Sequence, residues 1–310
     1  MKENKLIFIG FIILAASFYF ITPLQHYAGL IALILGILLS SSDKFYQPPK
    51  LNKYRKLILN TSVIFFGFSL NIHDVITIGL QGIIFSFISL SVILSCGFIL
   101  IKLYQTDKIT SALTTYGTGI CGGSAISAVS TILNPTNKQL ALATGIVFSL
   151  NGLALVIFPP LGHLLHMNQE QFGVFCALSI HDVSSVVGAA SIYGDTSLKL
   201  ATVLKLTRTL WIIPITIILA RFNQQKNSKL PIPFFILGFI LASIITSILN
   251  NPLIISLNII GKFLLPIALF MVGYAIKLND IKALGAKELK FGLSLWLISI
   301  ISGITLAFLW

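Results

Sequence analysis

The stretch "TYGTGICGGSAIS", residues 115–127, places Gly117, Gly119, Gly122 and Gly123 within seven positions of an apolar segment running from 110 to 133. Glycine is a poor helix former, so a continuous membrane helix gains nothing from that density. A glycine face for close helix packing would want a spacing of four, and Gly122 and Gly123 are adjacent. The reading that fits is a helix interrupted inside the membrane, which is tolerated only where the backbone is buried in protein or lines a wet cavity. "GGSAIS" is then a turn entering a second half-helix. Its free N–H groups and positive dipole end would face an anion, with Ser124 as N-cap or ligand.

The rest of the chain supplies the membrane. Of 310 residues, 56% are hydrophobic and 10% charged, against about 25% charged in soluble domains; mean hydropathy is +0.95. Eleven apolar segments fall at roughly 5–22, 27–41, 54–70, 77–101, 110–133, 138–160, 171–193, 197–220, 231–249, 254–276 and 288–310, and most have the length of a membrane-crossing helix. Strand alternation is absent, which excludes a barrel. The start, "MKENKLIFIGFIILAASF", has the look of a signal peptide but, with so many segments following, reads as the first helix. The fold class expected is therefore all-α, a polytopic membrane protein of about 9–11 transmembrane segments, forming a single domain over 1–310.

The net charge of +12 does not imply nucleic acid here. The basic residues cluster at Lys44 to Lys56, Lys102 with Lys108, Arg221 to Lys229 and Lys277 to Lys290, and loops free of Lys and Arg alternate with them. The positive-inside rule makes the basic loops cytoplasmic, the N-terminus inside and Trp310 outside. Cys96, Cys121 and Cys176 are scattered through apolar segments, so neither a disulfide framework nor a metal cluster is expected, and no cofactor is implied.

Two internal similarities bear on topology. "KLILNTSVIFFGFSLNIHDVITIG" (56–79) matches "KFLLPIALFMVGYAIKLNDIKALG" (262–285), with Lys56, Gly67, Asp74 and Gly79 recurring as Lys262, Gly273, Asp280 and Gly285. The charge rule orients the copies oppositely, so 54–101 and 254–310 read as inverted-repeat elements. More weakly, 120–141 resembles 180–201. Parallel copies follow if 110–133 and 171–193 span fully; inverted copies follow if both are re-entrant hairpins. Hairpins, or broken helices meeting head to head, are preferred, with 110–160 and 171–220 as the elements of the substrate site.

Segment 171–193 carries "LSIHDVSSVVGAAS", which sets His181, Asp182, Ser184 and Ser185 in an apolar run. Ionisable residues at membrane depth are costly and usually mark a pathway; the alternative for Asp182 is a structural ion pair. His181 could relay a proton or simply donate a structural hydrogen bond. Segment 197–220 carries "KLTR", with Lys205 and Arg208 on one face. In an unbroken helix Arg208 lies about 18 Å from either end, too deep to snorkel out. Its partner is either Asp182 or an anionic substrate, whose oxygens a guanidinium matches in pairs. Two cations against one carboxylate favour the substrate.

At "GTGICGGSAIS", "SIHDVSSVVGAAS" and "ATVLKLTRTLWIIP" the chain resembles the YeiH-like sulfate exporter family of bacterial inner-membrane proteins, over most of its length and in the same order. The resemblance implies a secondary transporter with inverted repeats and crossing discontinuous helices, many of whose kind work by elevator movement. It implies export of a small anion, whether sulfate, sulfite or an organosulfonate. The expected site is Gly122, Gly123 and Ser124 as donors, Lys205 and Arg208 as charge, and His181, Asp182 and Ser184 as orienting or proton-carrying groups. Partners would be that anion, a coupling proton or sodium ion, the bilayer and a second copy in a homodimer. A passive anion channel and, more remotely, an intramembrane hydrolase using Ser124, His181 and Asp182 are the alternatives; no enzyme activity is expected.

Overall fold

Both interrupted segments return to the side they entered from. The computed structural model describes residues 10–14, 17, 28–40, 51–223, 234–275 and 285–310. Most of the first apolar segment, the basic stretches 44–50, 224–229 and 277–284, and Asp280 lie outside these residues. The helices are α1 Ala28–Ser40, α2 Leu51–Phe66, α3 Ile72–Tyr104, α4 Lys108–Gly119, α5 Gly123–Leu133, α6 Asn137–Leu164, α7 Gln169–Ser179, α8 Val183–Tyr193, α9 Asp195–Thr209, α10 Ile212–Phe222, α11 Phe234–Leu249, α12 Pro252–Ile255, α13 Asn258–Tyr274 and α14 Ala286–Phe308. Among the described residues there is no strand, and five helices are long and apolar enough to cross a membrane: α3, α6, the α9–α10 pair, the α12–α13 pair and α14. The chain is an all-α polytopic membrane protein.

Helices α4 and α5 form one hairpin and α7 and α8 the other. At the base of the first, Gln139 at the start of α6 donates to the Asp107 carboxylate at 3.0 Å, joining the residue before α4 to the helix that follows α5. Asp107 also caps α4 through Thr110 N at 2.8 Å. Burial would raise the Asp107 carboxyl, but the donors from Thr110 and Gln139 outweigh it and hold the group below its ordinary value. At the base of the second hairpin, Thr196 N donates to the Gln169 side chain at 3.0 Å and the Tyr193 hydroxyl to Met167 O at 2.6 Å. The 28 residues of α6 separate the two bases, a rise of about 42 Å, so the hairpins enter from opposite faces. Their tips meet near Asn151, midway along α6.

The remaining helices sit in two groups. α13 packs on α1 and α2, with α11 beside α2; α3, α6, α9 and α14 form the body around the hairpins. The body's core includes Phe158 stacked on Phe175 at 4.5 Å, with Trp296 at 5.8 Å. A second apolar cluster joins the groups, with Leu59, Val63 and Leu269 meeting Leu155, Val187 and Leu206. Gly67 and Gly273, matched in the two similar stretches, are used alike. A Cβ on Gly67 would lie 2.5 Å from Phe239 O of α11, and one on Gly273 2.2 Å from Leu33 O of α1. Each admits a neighbouring helix backbone that a side chain would expel.

Segment 197–220 differs from the unbroken helix expected. It divides at Leu210–Trp211 into α9 and α10. Pro214 is the cause, because it has no N–H to return to the Leu210 carbonyl, which instead accepts from Ile213 N at 3.1 Å. Arg208 therefore stands in the last turn of α9.

Candidate functional site

Interrupting two helices in the membrane interior leaves eight orphan carbonyls at the tips, four on each incoming half-helix, and as many orphan N–H groups on the outgoing halves. Seven of the carbonyls accept from the tips' own backbone or from buried side chains. In α4, Tyr116 O accepts from Ile120 N at 3.0 Å and Gly117 O from Gly122 N at 2.8 Å, which closes the tip on itself. Thr118 O then accepts from Arg208 Nη2 at 3.1 Å and Gly119 O from Arg208 Nε at 2.8 Å. In α7, Cys176 O accepts from Ile180 N. Ala177 O accepts from Arg208 Nη1 at 3.2 Å and Lys205 Nζ at 3.3 Å, and Leu178 O accepts from Arg208 Nη1 and from Ser299 Oγ. Lys205 Nζ also donates to Ile120 O at 3.2 Å and Ile180 O at 2.6 Å. Both cations are fully buried.

This accounts for the charge surplus read from the sequence. Each helix C-terminus carries about half a negative charge, and two such ends together with Asp182 balance Lys205 and Arg208. Neither cation pairs directly with Asp182; among the described residues the ion pair present is Lys262 with Asp195, at 2.9 Å. The structure thus brings Lys205 and Arg208 behind the tips, as a clasp on the carbonyl ends, while the N-terminal end of α8 faces a cavity.

That cavity, of about 420 Å3, is lined by Arg55 and by Asn137, Thr144, Phe148, Ser149 and Asn151 of α6, with Asp182 and Ser185 of the second hairpin, Val272 of α13 and Ala275 just after it. Asp182 is the N-cap of α8: its Oδ1 accepts from Ser185 N at 2.8 Å and its Oδ2 from Ser184 Oγ at 3.3 Å. Asn151 Oδ1 accepts from His181 N at 3.0 Å and lies 3.2 Å from His181 Nδ1. A carbonyl oxygen can only accept, so Nδ1 carries the proton there. Asn151 Nδ2, His181 Nε2 and Ser185 Oγ are buried and without a protein partner.

The tip of the first hairpin lies beside this cavity, behind the Phe148 ring, and is not among its lining residues. The N-cap of α5 is Gly122, which has no side chain to cap the first turn; the Ala125 N–H meets the Cys121 sulfur, and the N–H groups of Gly123 and Ser124 have no helical acceptor. Gly123 abuts the Phe148 ring, where an added Cβ would lie 2.9 Å from Cζ, and the Arg55 guanidinium sits over the same ring at 5.4 Å. Ser124 is exposed on that turn and outside the cavity lining. Gly122 has φ +62° and ψ −126°, and its Cβ position lies 3.3 Å from Asp182 Cβ. Gly122→Ala should therefore cost about 1–3 kcal/mol, seen as a lowered melting temperature. Unchanged melting would show that the tip accepts a side chain.

Asn151 and Arg55 were not among the residues singled out in the sequence. Asn151 is the amide in the middle of the segment 138–160, far from Gln139 at its start, and had a usable signal, since polar groups at membrane depth need partners. Arg55 was hidden, because it sits among Lys53, Lys56 and other basic residues that the topology rule assigns to a loop.

The family described as conserved hypothetical protein 698 matches residues 5–292. The chain is similar to a UPF0324 membrane protein of Bacteroides thetaiotaomicron, 37% identical over 99% of this chain and 96% of the relative. A UPF0324 membrane protein of Shewanella oneidensis is 40% identical over 95% and 92%, and one of Geobacter sulfurreducens 39% over 89% and 88%. No solved structure matches.

Proposed function

This chain belongs to the conserved hypothetical protein 698 family, the YeiH-like family of UPF0324 membrane proteins, and from that premise we propose that it is a secondary transporter carrying a small anion across the bacterial inner membrane. The observation that carries the reading is the meeting of two oppositely inserted hairpins beside a cavity lined by Arg55, Asn151 and Asp182, with the first turn of α5 against the far side of the Phe148 ring that Arg55 covers. An uncapped helix N-terminus and a guanidinium together offer several N–H donors and positive potential, which suit an oxyanion. Sulfate, sulfite and organosulfonates share that chemistry. By the positive-inside rule the mouth near Arg55, Asn137 and Ala275 faces the cytoplasm, as an exporter awaiting its substrate would.

Asp182 is the group suited to carry a coupling proton. It lines the cavity, and its charge opposes an anion unless a proton or Arg55 offsets it. In the alternating-access cycle the body holding both hairpins moves against the α1–α2–α11–α13 group, with elevator displacement the natural form for tips clasped as one unit. The hydrolase alternative fits the geometry poorly, since the His181 ring turns to Asn151 and the Asp182 carboxylate to Ser184 and Ser185.

The test is thermal stability of the detergent-purified protein with sulfate, sulfite, thiosulfate, short sulfonates, carboxylates and chloride. A ligand at about 100 times its dissociation constant adds about 2.7 kcal/mol, and one oxyanion class should raise the melting temperature. In proteoliposomes, flux of that anion should saturate and show counterflow, which a channel cannot produce. No shift with any anion removes the proposal.

A further inference from the structure

Lys205 stands where a dissolved cation would be expected in a carrier built this way. Carbonyl oxygens released at broken helices are the ligands with which such transporters hold sodium. Here three of them, Ile120 O from one tip and Ala177 O and Ile180 O from the other, converge on a single nitrogen at 3.2, 3.3 and 2.6 Å. The nitrogen is fully buried and reaches the spot from a third element, α9. An ammonium has three N–H donors and no acceptor, so donors and acceptors match one to one, whereas a neutral amine has only two N–H donors for the three oxygens.

We propose that the Lys205 ammonium is a tethered occupant of a monovalent-cation site formed by the carbonyl ends of both hairpins, so that the protein needs no alkali-metal ion to hold its tips together. Two features distinguish this from a lysine merely packed in the core. The acceptors belong to hairpins inserted from opposite faces, so the nitrogen bridges the two ends beside the bridge that the Arg208 guanidinium makes. All three are backbone oxygens, the ligand type of a spherical cation rather than the carboxylate that a buried lysine usually seeks. The consequence for coupling rests on the transporter reading above: with the cation built in, the group left to carry a coupling charge is Asp182. The cation site itself does not depend on transport.

Truncation followed by chemical rescue tests it. Lys205→Ala removes the ammonium and its stem, leaving space for a free cation; Lys205→Met removes the charge and keeps most of the stem. Melting is measured in choline, sodium, potassium and methylammonium chlorides at equal ionic strength. Wild type should melt alike in all four. Lys205→Ala in choline should fall by about 5–10 °C and regain at least half of the loss in methylammonium, with a smaller gain in potassium or sodium. Lys205→Met should fall and stay low. If Lys205→Ala does not survive extraction in choline, recovery of monodisperse protein only in methylammonium supports the site. Equal behaviour of Lys205→Ala in every salt, including equal failure to be recovered, overturns it, as does rescue of Lys205→Met to the same degree. Rescue without any anion response in wild type would retain the site and sink the transporter reading.

Discussion

Arg208→Met should destabilise the protein by about 3–5 kcal/mol, the loss seen when one partner of a buried charged network is removed. The guanidinium supplies the hydrogen bonds recorded for Thr118 O and Gly119 O and shares those of Ala177 O and Leu178 O. The latter two keep Lys205 and Ser299 as donors, so the first two set the magnitude. Each buried carbonyl left without a donor costs about 1–3 kcal/mol, and water cannot easily replace the arginine at a fully buried position. The measurement is the melting temperature and the monodisperse fraction in detergent, with Arg208→Lys beside it. Lysine restores a charge and up to three donors but not the fork, so it should recover only part of the loss. An Arg208→Met protein that melts like wild type would mean that the carbonyl ends find other donors, and the clasp would not be what holds the tips.

This expectation differs from the one the sequence alone supports, in which losing Arg208 ends transport and leaves a folded protein. The difference shows what was legible. Adjacent Gly122 and Gly123 could be read as a break because backbone propensity is local, and the structure places a turn there. Membrane depth of His181, Asp182, Lys205 and Arg208 followed from hydropathy, which is also local. What the cations face was not legible, because their partners are backbone carbonyls 25 to 90 residues away, and a carbonyl has no letter of its own in a sequence. Counting side-chain charges left a surplus that helix C-termini remove once two half-helices end at one point. The same blindness hid Arg55. Its cluster suggested a surface loop, whereas α2 carries it to the cavity wall over Phe148. Pro214 was visible in "WIIP" as a residue that cannot continue a helix, and it does divide α9 from α10.

Arg55→Gln should leave the fold nearly intact and abolish the response to anions. Its side chain lies against a cavity and rests on an aromatic ring, so folding loses about 0.5–1 kcal/mol of cation–π attraction. The loss to a bound oxyanion is larger, because a charge-assisted hydrogen bond contributes about 1.5–3 kcal/mol, or about 10- to 150-fold in affinity. Glutamine keeps donors and roughly the reach while removing the charge, which separates electrostatic attraction from packing. The decisive comparison is the anion-induced melting shift of Arg55→Gln and of Arg208→Lys, each against its own unliganded melting temperature. If the anion sits in the cavity, the shift disappears in Arg55→Gln and persists in Arg208→Lys, which is weaker to begin with but keeps its cavity. The reverse pattern, a retained shift without Arg55 and a lost one without the Arg208 fork, would move the anion from the uncapped turn of α5 to the carbonyl side of the tips. Electrostatics argues against that placement, because an anion there would face the negative ends of two helices. The same two helix interruptions thus impose opposite demands at their two ends: the carbonyl ends take cations from the chain itself, and on the transporter reading the N–H end at Gly123 would take its negative charge from a ligand.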